Sequence, residues 1–253
     1  MVQLDDVTRC YGAGDASVDA VANVSLSVQA GEFLSVMGPS GCGKSTLLNL
    51  IAGYDDPTSG RVVVAGMDLG SLSERERSNL RARHLGFVVQ SFDLLPRLTV
   101  DENVLVRLGP IGIRGREART RTTAVLDKVG ISPAAWKRYP AELSGGEQQR
   151  VAMARALVAE RLLLLADELT GNLDSSSGGR ILDLLRDLNA ERGMSIVVVT
   201  HDAFAATYGH RTVTMRDGRI EHDVGRVGNG RDSSVVSIRK VAALQTERGR
   251  DSR

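Results

Sequence analysis

Nine consecutive residues, Gly38-Pro39-Ser40-Gly41-Cys42-Gly43-Lys44-Ser45-Thr46, have types and spacing that could hold a chain of phosphates. They satisfy the pattern G-x-x-x-x-G-K-[ST] at every fixed position. Glycines at this spacing let the backbone curl so that its N–H groups face the anion, and a helix starting there adds the positive end of its dipole. Lys44 can reach the outer phosphates, and the Ser45 hydroxyl is placed to hold Mg²⁺. Much further along, Asp167-Glu168 supplies two carboxylates side by side. Successive residues on an extended backbone point to opposite faces, so the two cannot share one task. Asp167 suits Mg²⁺ through its water shell, and Glu168 suits polarising a water aimed at a terminal phosphate.

Four further places carry chemistry with a bland alternative beside it. Tyr11 is either a half-buried strand-end aromatic or a ring on which a nucleobase stacks, since stacking tolerates any base edge. Gln90 is either a satisfied loop amide or a ligand for Mg²⁺ or the attacking water. Ser144 and Glu147 form a capping box that starts a helix. Gly145 and Gly146 in its first turn weaken that helix by roughly 1 kcal/mol each relative to alanine. What they offer is close backbone approach at a helix N-terminus, an anion site. His201 is either a filler or a bond to the outermost phosphate.

Such residues need elements to aim them. Phe33–Met37 reads as a buried strand feeding the glycine loop, and Leu47–Ala52 as the buried start of a helix. Residues 2–8 and 18–28 alternate apolar and polar around Gly12-Ala13-Gly14-Asp15, which predicts an antiparallel pair. Leu85–Val89, Leu162–Ala166 and Ser195–Thr200 read as buried strands ending at Gln90, Asp167-Glu168 and His201. In open α/β sheets ligands bind at such strand ends. Residues 91–159 read as helical, interrupting the β/α alternation. Asp174 is an expected N-cap for a helix from Ser175 to about Leu188. Asp217-Gly218 is a hairpin turn signal. The fold class expected is α/β: a P-loop NTPase core with a mixed sheet, an N-terminal antiparallel β subdomain and an inserted helical subdomain. The expected divisions are an ATPase domain over 2–223, with the helical insertion at about 91–159, and a mobile basic tail over 224–253.

Composition excludes several classes. With 253 residues, 42% apolar and 25% charged, the chain fits a soluble globular protein of one large or two small domains. A net charge of +1 gives no argument for nucleic acid. Cys10 and Cys42 make no disulfide framework or metal cluster, which suits a reduced cytosolic setting. No apolar run approaches the roughly 18 residues of a membrane span, and no signal peptide is visible.

The glycine loop, Gln90, Leu143-Ser144-Gly145-Gly146-Glu147-Gln148-Gln149-Arg150, Leu162 to Glu168 and Thr200-His201-Asp202 occur in that order. Together they resemble the ATP-binding subunit of ABC transporters over roughly residues 2 to 222. The resemblance implies that Tyr11 stacks on adenine and that Gly38 to Thr46 hold the triphosphate of ATP. It implies that Ser45 and Gln90 hold Mg²⁺, that Glu168 is the general base, and that His201 contacts the γ-phosphate. It also implies that two copies meet head to tail, so that Ser144, Gly145, Gly146 and Gln148 of one contact ATP held by the other. The partners implied are a second copy and a membrane permease, with the subunit peripheral on the cytoplasmic face of the cell membrane. Residues Val88 to Asn103 and Gly171-Asn172-Leu173-Asp174 resemble the branch of lipoprotein-releasing, macrolide-export and cell-division ATPases. A soluble ABC ATPase and an amino-acid-type importer subunit are the competing readings. Leu169 departs from the family's usual proline after the Asp-Glu pair, which puts the rate of turnover in question. Cys42 stands where the family has a small residue, and reacts with thiol reagents if its thiolate is favoured.

Overall fold

The computed structural model describes residues 1–13, 16–169, 171 and 175–225. The expected N-cap at Asp174 and the tail beyond 225 lie outside them. Among the described residues ten strands form two sheets. The first is antiparallel, in the order β2-β1-β4-β5, from β1 (Val2–Tyr11), β2 (Val18–Val28), β4 (Ser59–Val64) and β5 (Met67–Asp68). The second is built on β3 (Phe33–Met37), all five residues of which are buried. Its other strands are β6 (Leu85–Val88), β7 (Leu163–Asp167), β8 (Ser195–Thr200), β9 (Arg211–Arg216) and β10 (Arg219–Gly225). The order is β10-β9-β3-β8-β7-β6, parallel except for β10.

Period-two alternation divides this sheet between two cores. Leu163, Leu165, Val197 and Val199 face helix α1 (Lys44–Ala52), whose other side packs on Val2, Leu4, Val24 and Val62 of the antiparallel sheet. Leu164, Ala166, Ile196 and Val198 face the opposite core. That core is completed by helices α3 (Val100–Leu105), α4 (Gly115–Lys128), α5 (Gly145–Leu157) and α6 (Ser175–Arg192). Helix α2 (Glu74–His84) lies outside both cores apart from Leu80. A short α7 (Ala203–Ala206) follows β8.

Local sequence explains the boundaries. Ser73/Glu76, Thr99/Glu102 and Ser144/Glu147 form capping boxes that start α2, α3 and α5. Asp217 and Gly218 take φ of 47° and 75°, the left-handed pair that a two-residue hairpin needs between β9 and β10. Helices α3, α4 and α5 all fall between β6 and β7, where the alternation was expected to break. Register puts Met37 beside Thr200, Asp167 beside Val199 and Val88 beside Ala166. The C-terminal ends of β3, β8, β7 and β6 therefore share one edge of the sheet.

Candidate active site

Residues 38–46 join β3 to α1 across that edge. Gly41 and Gly43 have φ of 79° and 102°, so the loop is closed by conformations that side chains resist. A Cβ on Gly43 would sit 2.0 Å from the Ala20 carbonyl, and one on Gly38 would sit 2.3 Å from that of Met215. Two neighbours thus press on the loop. The β9–β10 turn also binds it directly: Gly218 N–H donates to Cys42 O at 3.1 Å, and Ala22 N–H donates to Gly218 O at 2.8 Å. The N–H groups that open α1, at Lys44, Ser45 and Thr46, have no acceptor within the helix and remain for an anion.

Lys44 lies folded into its own loop. It is only 6% exposed, and its Nζ donates to Gly38 O at 2.8 Å and Pro39 O at 2.9 Å. Beside it Ser45 stands close enough to the Asp167 carboxylate to act on its pKa. Burial pushes the Asp167 carboxyl above its ordinary pKa, with Glu168 adding to the rise and Ser45 and Lys44 opposing it. Ser45 and Asp167 are hard oxygen donors of the kind Mg²⁺ takes, so these residues fit that ion.

Glu168 and Asp167 do part ways, for a different reason than strand alternation. β7 ends at Asp167, and Glu168 takes φ of 51°, a left-handed turn that swings its side chain off the strand. Its N–H still donates to Val199 O at 3.0 Å. His201 Nδ1 lies 2.8 Å from Glu168 Oε2, an ion pair when the imidazole is protonated. That buried carboxylate oxygen accepts no hydrogen bond among the described residues. His201 itself is 63% exposed in its side chain.

Several supporting residues escaped the sequence reading. Gln149 is buried, and its Nε2 donates to the Leu169 carbonyl, tying α5 to the residue after Glu168. Leu169 is 1% exposed and packs in the helical core, a role that proline would fill differently. Arg9 bonds Asp55 through Nε at 2.9 Å and a second nitrogen at 2.7 Å, and lies 4.7 Å over the Tyr11 ring. The Tyr11 hydroxyl donates to the same carboxylate at 2.6 Å. One ring face is thus backed by a guanidinium, and the ring stays 42% exposed. Tyr11 pairs with Val18, two residues before the Ala20 whose carbonyl abuts Gly43 of the phosphate loop.

Gln90 is exposed beyond the end of β6. The segment after it is held by buried Asn103, which bonds Leu95 through both its N–H and its carbonyl. Arg155 adds bonds to the carbonyls of Phe92 and Asp93. Ser144 and Gly146 stand apart from Lys44 and open onto a separate cavity of about 520 Å³, lined also by Arg150 and Arg180. Gln148 turns its amide inward, donating to Pro140 O at 3.1 Å and Leu143 O at 3.3 Å. No sequence signal marks Arg9, Asp55, Asn103 or Gln149, because each acts across the fold. The condition set for a reactive Cys42 is not met: it is buried, and burial pushes its thiol pKa up although Lys44 lies 3.9 Å away, so the thiolate is disfavoured.

The family described as ABC transporter matches residues 21–171. The ABC transporter ATP-binding protein YtrE of Bacillus subtilis is 46% identical over 225 residues, which span 87% of this chain and 97% of that one. The macrolide export ATP-binding/permease protein MacB of Syntrophobacter fumaroxidans is 42% identical over 98% of this chain, which spans only 34% of that relative's length. Among solved structures, the dimeric post-hydrolysis state of the Methanocaldococcus jannaschii cassette MJ0796, bound to ADP and Pi, superposes with a TM-score of 0.87 at 41% identity. That match covers 90% of this chain and 100% of the other. A phosphate loop, a paired carboxylate at the neighbouring strand end and this breadth of similarity converge, and the chain belongs to the ABC transporter family as one of its ATP-binding ATPase cassettes.

Proposed function

We propose that two copies of this chain close around ATP, hydrolyse it, and pass the closing motion to a membrane permease, for export or for mechanical extraction from the membrane. The observation that carries this reading is Glu168 Oε2, a buried carboxylate oxygen just past the end of β7 that accepts no hydrogen bond among the described residues and has His201 Nδ1 2.8 Å away. Such an oxygen can accept the proton of a water and so act as general base. His201, 2.8 Å from Glu168, contacts the γ-phosphate. Lys44 exchanges its two carbonyl acceptors for phosphate oxygens, while residues 38–46 donate backbone N–H groups to the chain of phosphates. Tyr11, braced by Arg9 and Asp55, stacks on adenine.

Ser45, Gln90 and Asp167 hold Mg²⁺, which when bound neutralises charge building on the phosphates. Ser144, Gly145, Gly146 and Gln148 serve the ATP bound by the other copy, with the capping box presenting the free N–H groups of α5. The dimeric MJ0796 structures support that arrangement. Residues 91–159 form the helical unit that meets the permease. Relatives named as joint ATP-binding and permease proteins support a permease partner. The chain is then peripheral on the cytoplasmic face of the cell membrane; among the described residues no helix is long and apolar enough to cross one.

The test is to purify tagged Glu168→Gln chain from detergent-solubilised membranes with ATP and Mg²⁺. A trapped dimer carrying a permease, with turnover lowered about 10²–10⁴-fold, is the expected result. A dimer free of any membrane protein would move the function to a soluble ATPase, and normal turnover would place the base elsewhere.

A further inference from the structure

The edge of the parallel sheet remote from the phosphate loop holds a second cavity. It lies where Leu162 enters β7 and Met194 enters β8, so it faces the opposite end of the strands from Gly38 and Glu168. Its volume is about 400 Å³, within the roughly 300–1,000 Å³ of small-molecule sites. Helix α4, the end of α5 and the end of α6 wall it, with Leu157, Leu184, Leu188 and Met194 supplying apolar surface.

Arg161 is the residue that needs explaining. It lines this cavity and is 6% exposed, and its Nε and one terminal nitrogen are buried with no hydrogen-bond partner among the described residues. A buried guanidinium without an anion is costly, because its charge has left water without compensation. Burial and the nearby Arg107 lower its pKa to about 10, and it still carries its charge at neutral pH. Three more cations, Arg121, Lys128 and Arg192, line the same cavity against one acid, Glu160. Glu160 is already engaged: Arg192 pairs with it, and Arg121 lies 3.7 Å from it. Apolar walls and an uncompensated cation define the complementary ligand, a single carboxylate on a short alkyl or aryl body.

We propose that the cavity between α4, α5 and α6 binds a small amphiphilic carboxylate, with Arg161 as its anion-binding residue and Leu157, Leu184 and Leu188 around its apolar body. This site joins the helical insertion to α6 and is independent of the nucleotide.

The experiment titrates octanoate into the full chain by calorimetry and follows thermal melting, with 1-octanol as the neutral counterpart of equal length. Wild type is expected to bind octanoate with a Kd of about 0.1–1 mM and to melt at a higher temperature in its presence. Arg161→Met, which replaces an unpaired buried cation by an apolar chain, is expected to fold, bind ATP as wild type does, and bind octanoate at least about 10-fold more weakly. Leu184→Trp keeps Arg161 and fills the cavity, and is expected to block octanoate as well. Absence of saturable octanoate binding, equal binding by Arg161→Met, or equal binding of octanol would each overturn the proposal.

Discussion

Lys44→Ala allows a magnitude to be worked from the structure. ATP does not meet a free ammonium, because Lys44 Nζ already donates to Gly38 O at 2.8 Å and Pro39 O at 2.9 Å. Two charge-assisted bonds to phosphate would contribute roughly 1.5–3 kcal/mol each, but the two carbonyl bonds are given up in exchange. The count of bonds does not change, so the gain is the added attraction of charged phosphate over a neutral carbonyl. At roughly 1.5–3 kcal/mol in all, the substitution should weaken ATP by about 10- to 150-fold rather than abolish binding. The same reasoning makes a second demand. Without Lys44 the two carbonyls lose their donor, so the nucleotide-free protein should itself be destabilised by about 1–3 kcal/mol. For a chain of this size that is a fall of about 2–4 °C in melting temperature per kcal/mol. Calorimetric titration of ATP into Glu168→Gln and Lys44→Ala/Glu168→Gln avoids turnover during the measurement, and melting curves without nucleotide complete it. Unchanged ATP affinity would refute the phosphate role. Weakened ATP with an unchanged nucleotide-free melting temperature would refute the exchange of acceptors.

Gln149→Ala should lower turnover about 5-fold while leaving the ATP Kd unchanged, since it frees the Leu169 carbonyl behind Glu168 but touches no nucleotide; a matching loss of affinity would contradict that role. Cys42 should alkylate at least about 10-fold more slowly than Cys10 in peptide mapping, because burial keeps it a thiol; faster labelling of Cys42 would reverse the argument. Glu147 has its pKa held below the usual carboxylate range by the Ser144 N–H at 2.9 Å and hydroxyl at 2.8 Å. A depressed folded pKa stabilises above the unfolded value of about 4.3 and is lost as pH falls through the folded one. The melting-temperature gap between wild type and Glu147→Ala should thus be full above about pH 5 and close as pH falls well below 4; a gap constant through that range would exclude the linkage.

Local chemistry is what the sequence exposes. The phosphate loop was legible because only glycines close it, and the strand ends were legible because Phe33–Met37 and Ser195–Thr200 are apolar throughout. Capping boxes announce themselves by spacing, so the start of α5 at Ser144 was read to the residue. The divergence of Asp167 and Glu168 was expected for the wrong reason: a left-handed φ at Glu168 is a tertiary outcome, fixed by the Val199 bond and by Leu169 entering the core. Arg9 with Asp55, and Gln149 with Leu169, are separated by 46 and 20 positions, and nothing local distinguishes them from surface polar residues. The reactivity of Cys42 stayed open for the same reason, because its neighbour Lys44 favours a thiolate and only its burial decides against it.

The strand order has a consequence for how the chain comes to be. β3 is flanked by β8 and β9, so Phe33–Met37 finds no lateral partner until residues 195–216 exist. During synthesis at about 5–20 residues per second, that apolar segment emerges early and waits on the order of ten seconds or more for its neighbours. The antiparallel sheet can close sooner, since β1 pairs with β2 and β4 within the first 64 residues. The nascent chain therefore carries a nearly complete phosphate-binding sequence that cannot yet be a phosphate-binding loop. Its rigidity depends on Gly218, and products ending short of residue 195 would expose an unpaired central strand, the kind of edge that recruits chaperones or aggregates.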